Sequence, residues 1–271
     1  MREILALANK YGCASRNMAY AGELALAIQG SLTGLFVSES VSSIGVAISY
    51  PEFETIEADL ASEAAEAAPM FERWARELGV LHYRWQVARG SAQAVLARLA
   101  NWHDFLILEK GENVPPGTPL ILGKILLTAG VTCIVVPEKS QAPAVPGSVA
   151  IAWNGTPEAM RAVRAALPLL ECAKNVLLID GEGAATGLPI AWHPPLDVDR
   201  YLEAHAIRFE RTPFEANRME TGRGLLRLAE KASADLLVMG AYGYSRYEEC
   251  IFGGATEYVL RNGELPVLFR H

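Results

Sequence analysis

Two passes through one series of short apolar runs and helix-patterned stretches leave this chain little choice of fold. In the first pass, residues 4–8 read as a strand and 15–28 as a helix with Ala, Leu and Ile at three- and four-residue spacing. Residues 31–37 read as a second strand, and an Ala/Glu-rich insertion and helix occupy 53–78. The pass ends with a strand over 82–87, a helix over 91–101 with Ser91 as N-cap, a strand over 105–108, a helix over 120–127 and a closing strand over 131–136. A Pro-rich polar linker, 138–147, separates the passes. The second pass has strands over 148–153, 176–179, 207–212, 236–239 and 266–269. Its helices lie over 157–170, capped by Thr156 with Pro157 at the first helical position, and over 197–205, 221–232 and 255–261. Alternating strands and helices with apolar central strands predict an α/β chain of two tandem domains, 1–138 and 147–271. Each holds a mostly parallel five-stranded sheet with helices on both faces.

Bulk properties exclude several classes. Half the residues, 51%, are hydrophobic and 20% are charged, which is globular composition. The formal net charge is −7 and no long Lys/Arg run occurs, so a sequence-independent nucleic-acid role lacks its electrostatic term. No window reaches the length of a membrane span, and the opening apolar stretch is too short for a signal peptide, so a cytoplasmic location is expected. Cys13, Cys133, Cys172 and Cys250 are scattered without CxxC or metal-type spacing and read as reduced thiols. Cys250 is the one worth testing for reactivity, and the histidines share no ligand spacing.

Chemistry concentrates in Met239-Gly240-Ala241-Tyr242-Gly243, followed after nine residues by Gly253-Gly254-Ala255-Thr256. An apolar strand that runs into paired glycines and then a helix start suits phosphate. Glycine lets backbone N–H groups approach an anion, and the helix N-terminus adds partial positive charge. No Gly-Lys-(Ser/Thr) follows, so it is not a Walker A loop, and the third glycine comes too late for the dinucleotide fingerprint. Parallel sheets bind ligands beyond the C-terminal ends of their strands, and that rule puts Asn154 and Gly240 on one rim.

The spacing Gly240-x2-Gly243-x9-Gly253-Gly254, with Asp235-Leu-Leu-Val-Met before it and Glu257-Tyr-Val-Leu-Arg after it, resembles the nucleotide signature of the universal stress protein family. The whole chain resembles two such domains in tandem. The resemblance implies an adenine-nucleotide α-hydrolase-like fold, a bound ATP or AMP with or without Mg²⁺, and a role in stress response or signalling. By family position, Ala152 and Ile179 form the adenine slot. Met239, Asn154, Gly240, Gly243, Gly253, Gly254, Ala255 and Thr256 complete the nucleotide-binding set. Asn154 stands where the family commonly has Asp, so Mg²⁺ is expected to be held less tightly. Gly254 stands where Ser or Thr is usual, and Thr256 is the nearby source of a hydroxyl. In the first half the corresponding stretch is Leu108-Glu109-Lys110-Gly111-Glu112, without the paired glycines, and no nucleotide is expected there.

Each of these residues also has a plain structural reading. Gly240 and Gly243 suit a tight turn, Asn154 a helix entry, and Ala152 and Ile179 core packing. Tyr242, Tyr244 and Tyr247 suit either a ligand cover or a loop surface, and Arg246 either a phosphate or Glu248 and Glu249. Asp235 belongs to the opposite edge of its strand. No catalytic residue is assigned, and for want of a general base the chain is at most a slow ATPase. The alternative function is a non-catalytic adaptor or chaperone-like protein with a vestigial nucleotide site. There the 53–78 insertion would hold a lipid or a partner helix. The closing strands 131–136 and 266–269 are the natural edges for the two domains to pair, as a pseudo-twofold monomer or within a homodimer.

Overall fold

The computed structural model describes residues 2–8, 15–38, 62, 64–111, 118–181, 197–215, 220–242 and 254–271. The first half contains β1 (Glu3–Ala8), α1 (Arg16–Ala27), β2 (Ser31–Ser38), α2 (Ala68–Leu78), β3 (His82–Arg89), α3 (Ala92–Leu99), β4 (Phe105–Lys110), α4 (Thr118–Thr128) and β5 (Thr132–Pro137). The second contains β6 (Ser148–Trp153), α5 (Pro157–Leu170), β7 (Asn175–Asp180), α6 (Val198–Ala204), β8 (Glu210–Pro213), α7 (Thr221–Lys231), β9 (Leu236–Gly240), α8 (Ala255–Asn262) and β10 (Val267–Arg270). The strands form one sheet in the order β3-β2-β1-β4-β5-β10-β9-β6-β7-β8. Within each half all pairings are parallel.

The halves join through the two closing strands, as their edge positions predict. β5 and β10 pair antiparallel, with Val267 opposite Val135, Leu268 opposite Ile134 and Phe269 opposite Cys133. That register is symmetric about the Ile134–Leu268 pair, so a local twofold axis passes through it. The same devices recur on both sides of the axis. Asp104 precedes β4, and one of its carboxylate oxygens accepts from Glu3 N at 2.8 Å. Asp235 precedes β9 and accepts from Gly147 N at 2.8 Å and Ser148 N at 3.0 Å. Each aspartate ties a central strand to the start of its neighbour, far from the C-terminal rim.

Period-two alternation divides the strand residues between two apolar layers. Ile4, Phe105, Ile134, Ile151, Leu178, Val238 and Leu268 face one layer, covered by Met18 and Leu24 of α1, Phe71 of α2, Val163 of α5 and Leu202 of α6. Leu5, Leu106, Val135, Ala150, Ile179, Met239 and Phe269 face the other, under Leu96 of α3, Ile125 of α4, Leu225 of α7 and Val259 of α8. Both layers run through both halves. Local capping follows the sequence: Ser91 Oγ accepts from Ala94 N at 3.3 Å, and Thr156 Oγ1 from Ala159 N at 3.3 Å. One strand differs from expectation. β8 starts at Glu210, because Ala206 turns left-handed (φ 57°) after α6 and Ile207 N returns to Leu202 O. Ile207 is thereby buried under the helix instead of joining the ladder.

From Ala68 onward, the 53–78 insertion covers its own sheet. Phe71 packs at 5.6 Å from Trp74 and 5.2 Å from Trp85, ring centroid to centroid. Trp85 Nε1 donates to Ala64 O at 2.7 Å. Residues 53–61 lie outside the described residues.

Candidate nucleotide site at the second-half rim

β6, β7 and β9 end side by side. Ala152 is the register partner of both Ile179 and Met239. All three project toward the α7–α8 layer, so the strands present three adjacent apolar side chains on one face near their C-terminal ends. Beyond Trp153 the chain turns through Asn154 and Gly155 (φ 72°) into α5. Asn154 Oδ1 accepts from Thr156 N at 3.2 Å and from Thr156 Oγ1 at 2.7 Å, an Asx turn that sets up the helix cap. The side-chain oxygen of Asn154 is therefore engaged in building the helix entry.

Gly240 ends β9 where the first turn of α5 crosses it. A Cβ there would lie 2.6 Å from Ala159 N and 2.8 Å from the Glu158 carbonyl carbon. Close helix–strand approach is thus one reason for this glycine, whatever it offers an anion. Tyr242 has φ 54°, and its N–H donates to Thr256 Oγ1 at 3.4 Å. Thr256 is buried, and its hydroxyl secures the end of β9 to α8. The Tyr242 hydroxyl reaches the first half, where a Cβ on Gly123 of α4 would lie within contact of it. Gly254 is the N-cap of α8 (φ −64°, ψ 175°) and supplies no side-chain cap; Ala255 opens the helix and Glu257 lies in its first turn. Gly243, Gly253, Tyr244, Arg246, Tyr247 and Cys250 lie outside the described residues, as does Cys13.

The corresponding corner of the first half is built differently. Glu109 stands near the end of β4, and its carboxylate accepts from Asn17 N at the start of α1, 3.3 Å away. Lys110 follows and caps the C-terminus of α8 in the other half. Its Nζ donates to Arg261 O at 3.3 Å and, in a shorter contact, to Gly263 O. Burial lowers the Lys110 pKa, and Glu264 opposes that shift. Sequence reasoning treated 109–112 as lost phosphate chemistry and missed both capping roles. Glu112 lies outside the described residues.

Among the described residues no cluster of His, Cys, Asp or Glu could hold a metal, and no helix is long and apolar enough to cross a membrane. Cys133 is buried, which pushes its thiol up to about 12, whereas Cys172 is exposed.

Residues 148–270 match the family model described as Universal stress protein family. A universal stress protein from Archaeoglobus fulgidus DSM 4304 superposes with TM-score 0.69 at 16% identity, over 99% of this chain and 96% of that one. A functionally unknown protein from Pseudomonas aeruginosa PAO1 superposes with TM-score 0.59 at 17% identity, over 100% of this chain and 92% of that one. A universal stress protein in complex with cAMP covers 51% of this chain and 98% of its own, at 15% identity and TM-score 0.34. No curated protein matches. Residues 148–270 thus match the universal stress protein family, and the chain as a whole has the architecture of two such domains in tandem, the second fold repeating the first across a twofold axis.

Proposed function

We propose that this chain is an adenine-nucleotide-binding regulatory module that holds ATP or AMP in its second half. The observation that carries this reading is the start of α8. Its N-cap is a glycine with no side-chain cap, beside the end of β9 and on the rim where Ala152, Ile179 and Met239 lie together. The first N–H groups of a helix need acceptors, and phosphate oxygens suit them. Ala152, Ile179 and Met239 would take the base, and the N–H groups at Gly254, Ala255 and Thr256 the phosphates, with Gly243 and Gly253 contributing from the loop between. The nucleotide would supply charge and a conformational signal. No catalytic residue is assigned.

The first half does not share this role in our reading. The Glu109 carboxylate already stands at the start of α1, where it would repel a phosphate. We place the boundary between the domains in the 138–147 linker. The test is calorimetric titration of ATP into nucleotide-stripped protein, with and without Mg²⁺. Saturation near one site per chain with a weak Mg²⁺ effect is expected. No heat and no saturation would reject the reading.

One observation favours a second reading, a non-catalytic adaptor with a vestigial site. The polar oxygens of Asn154 and Thr256 both serve the protein's own backbone. That reading requires ATP to leave the melting temperature unchanged, whereas a ligand that binds only the folded state raises it.

A further inference from the structure

Where α5 crosses the junction between the halves, a cavity of about 410 Å³ is lined by Arg161, Arg164, Ala165, Arg270, His103 and Asp104, among others. It lies on the α1–α5 side of the sheet, because Arg270 shares the parity of Leu268, whereas the nucleotide slot faces the α7–α8 layer. Asp104 is the only carboxylate among the described residues that line it, and one of that group's oxygens is turned to Glu3 N. Arg161 pairs with Glu158 at 3.0 Å outside the lining. Among the described residues no carboxylate pairs with Arg164 or Arg270.

The local twofold supplies a built comparison. Aligning β1 with β6 places Arg16 of α1 on Arg161 of α5, and the buried positions Met18, Ala21 and Leu24 fall on Val163, Ala166 and Leu169. On the α1 side the site is filled by the chain itself. Arg16 Nε donates to Ser140 O at 2.8 Å, and its Nη2 donates to Ala142 O at 2.6 Å. Ala144 of the linker is buried against the same layer, and its N–H donates to Glu23 at 3.4 Å. The residues that differ set the character of the two sites. Tyr20, fully buried, corresponds to Ala165, which opens space. Ala19 corresponds to Arg164, Glu23 to Pro168, and across the β5–β10 register Val136 to Arg270. One site has lost bulk and an acid and gained two guanidinium groups.

From this asymmetry we infer that the Arg161–Arg164–Arg270 cavity binds a small polyanion, a molecule carrying vicinal phosphates or several carboxylates. Guanidinium groups fork onto such groups with paired hydrogen bonds. The volume lies in the range of small-molecule sites, roughly 300–1,000 Å³. Burial holds Arg270 below the usual arginine pKa, opposed by Cys133 and reinforced by Arg161. An anion would relieve that crowding of positive charge.

The probe is inorganic pyrophosphate, with citrate as the carboxylate arm, titrated into stripped full-length protein at low salt. Saturable binding by either is expected, with at least a tenfold loss in Arg164→Gln, whose side chain is exposed and whose fold should be intact. Arg270→Gln should show the same loss. Each comparison is made in a Gly254→Asp background, which removes phosphate binding at the nucleotide rim, and the exposed Arg223→Gln of α7 is the control that should change nothing. Binding that survives both cavity changes in that background would overturn the inference. So would a preference for the peptide of residues 138–147 over both anions, which would make the cavity a peptide groove. Because the sites lie on opposite faces, failure here and failure of ATP binding are separable.

Discussion

Placing a carboxylate at the N-cap of α8 separates folding from ligand binding, because the two respond with opposite sign. Gly254 has φ −64° and ψ 175°, an extended conformation open to any residue, and the helix has no side-chain cap. Gly254→Asp supplies one. Asp improves on Gly at an N-cap by a few tenths of a kcal/mol, and its charge at the positive end of the helix adds about 0.3–1 kcal/mol. The variant should therefore be more stable by roughly 0.5–1 kcal/mol, a rise of about 1–4 °C in melting temperature for a chain of this size. A phosphate held by the same N–H groups would meet the new carboxylate at about 4–5 Å. Two unit charges at that distance repel by about 3–4 kcal/mol at an effective dielectric of about 20. Screening at this half-exposed position reduces the figure to roughly 1.5–3 kcal/mol, a 10- to 100-fold loss of ATP affinity. Thermal unfolding without nucleotide and calorimetry with ATP read the two effects separately. Unchanged ATP affinity in a stabilised variant would refute the placement of phosphate at α8. Loss of affinity with loss of stability would refute the capping argument.

Gly240→Ala should destabilise the protein even without nucleotide. The new Cβ would press on the backbone at Glu158 and Ala159, and overpacking of this kind costs about 1–3 kcal/mol, read as a lower urea midpoint. Asp235→Ala removes acceptors for Gly147 N and Ser148 N. The expected loss is roughly 1.5–3 kcal/mol in equilibrium unfolding, with ATP affinity retained. His103 is half-buried, with Nδ1 3.1 Å from Leu99 O and Nε2 3.3 Å from Thr33 Oγ1. Burial lowers its pKa, partly offset by Leu99 O and the charges of Glu3 and Asp104, while Arg84 reinforces the shift. The unfolded chain therefore takes this proton first. Stability from neutral His103 is complete above about pH 6.5. It falls as pH drops below that value, until the folded imidazole also protonates. Urea midpoints measured between pH 8 and 5 should fall less steeply in His103→Gln than in the parent.

Features governed by neighbours in sequence were legible from the sequence. Ser91 and Thr156 cap their helices as expected because an N-cap bond spans three residues. Asp235 could be removed from the site because a strand's direction fixes which end faces the rim. The β5–β10 junction was legible too, since each half leaves its closing strand with an open edge. What escaped depends on partners far along the chain. Nothing around Lys110 announces that it caps a helix some 150 residues later. At Gly240 the sequence offers a reason in a bound anion, and the second reason, close packing against the first turn of α5, shows only in the fold.

The comparison of the two halves reaches further than either half alone. A duplicated fold keeps what each copy needs to stand: the aspartate ties, the alternating layers, and the arginine at Arg16 and Arg161. Differences at matched positions therefore carry functional information. At the strand ends, a carboxylate, Glu109, stands at a helix start in one half, while in the other the helix start at Gly254 has no side-chain cap, the corner to which the proposed function assigns phosphate. Across the junction, Tyr20 and the linker fill one site, while Ala165, Arg164 and Arg270 shape the other into a basic cavity. Both proposals therefore assign anion binding to the second half and a supporting role to the first. Lys110 and the Tyr242–Gly123 contact join the second-half rim to the first half, and under the proposed function they are the contacts through which coupling is to be tested. Lys110→Met should therefore weaken ATP binding modestly without touching the ligand. An affinity equal to the parent's would show that the halves share a sheet but no signal.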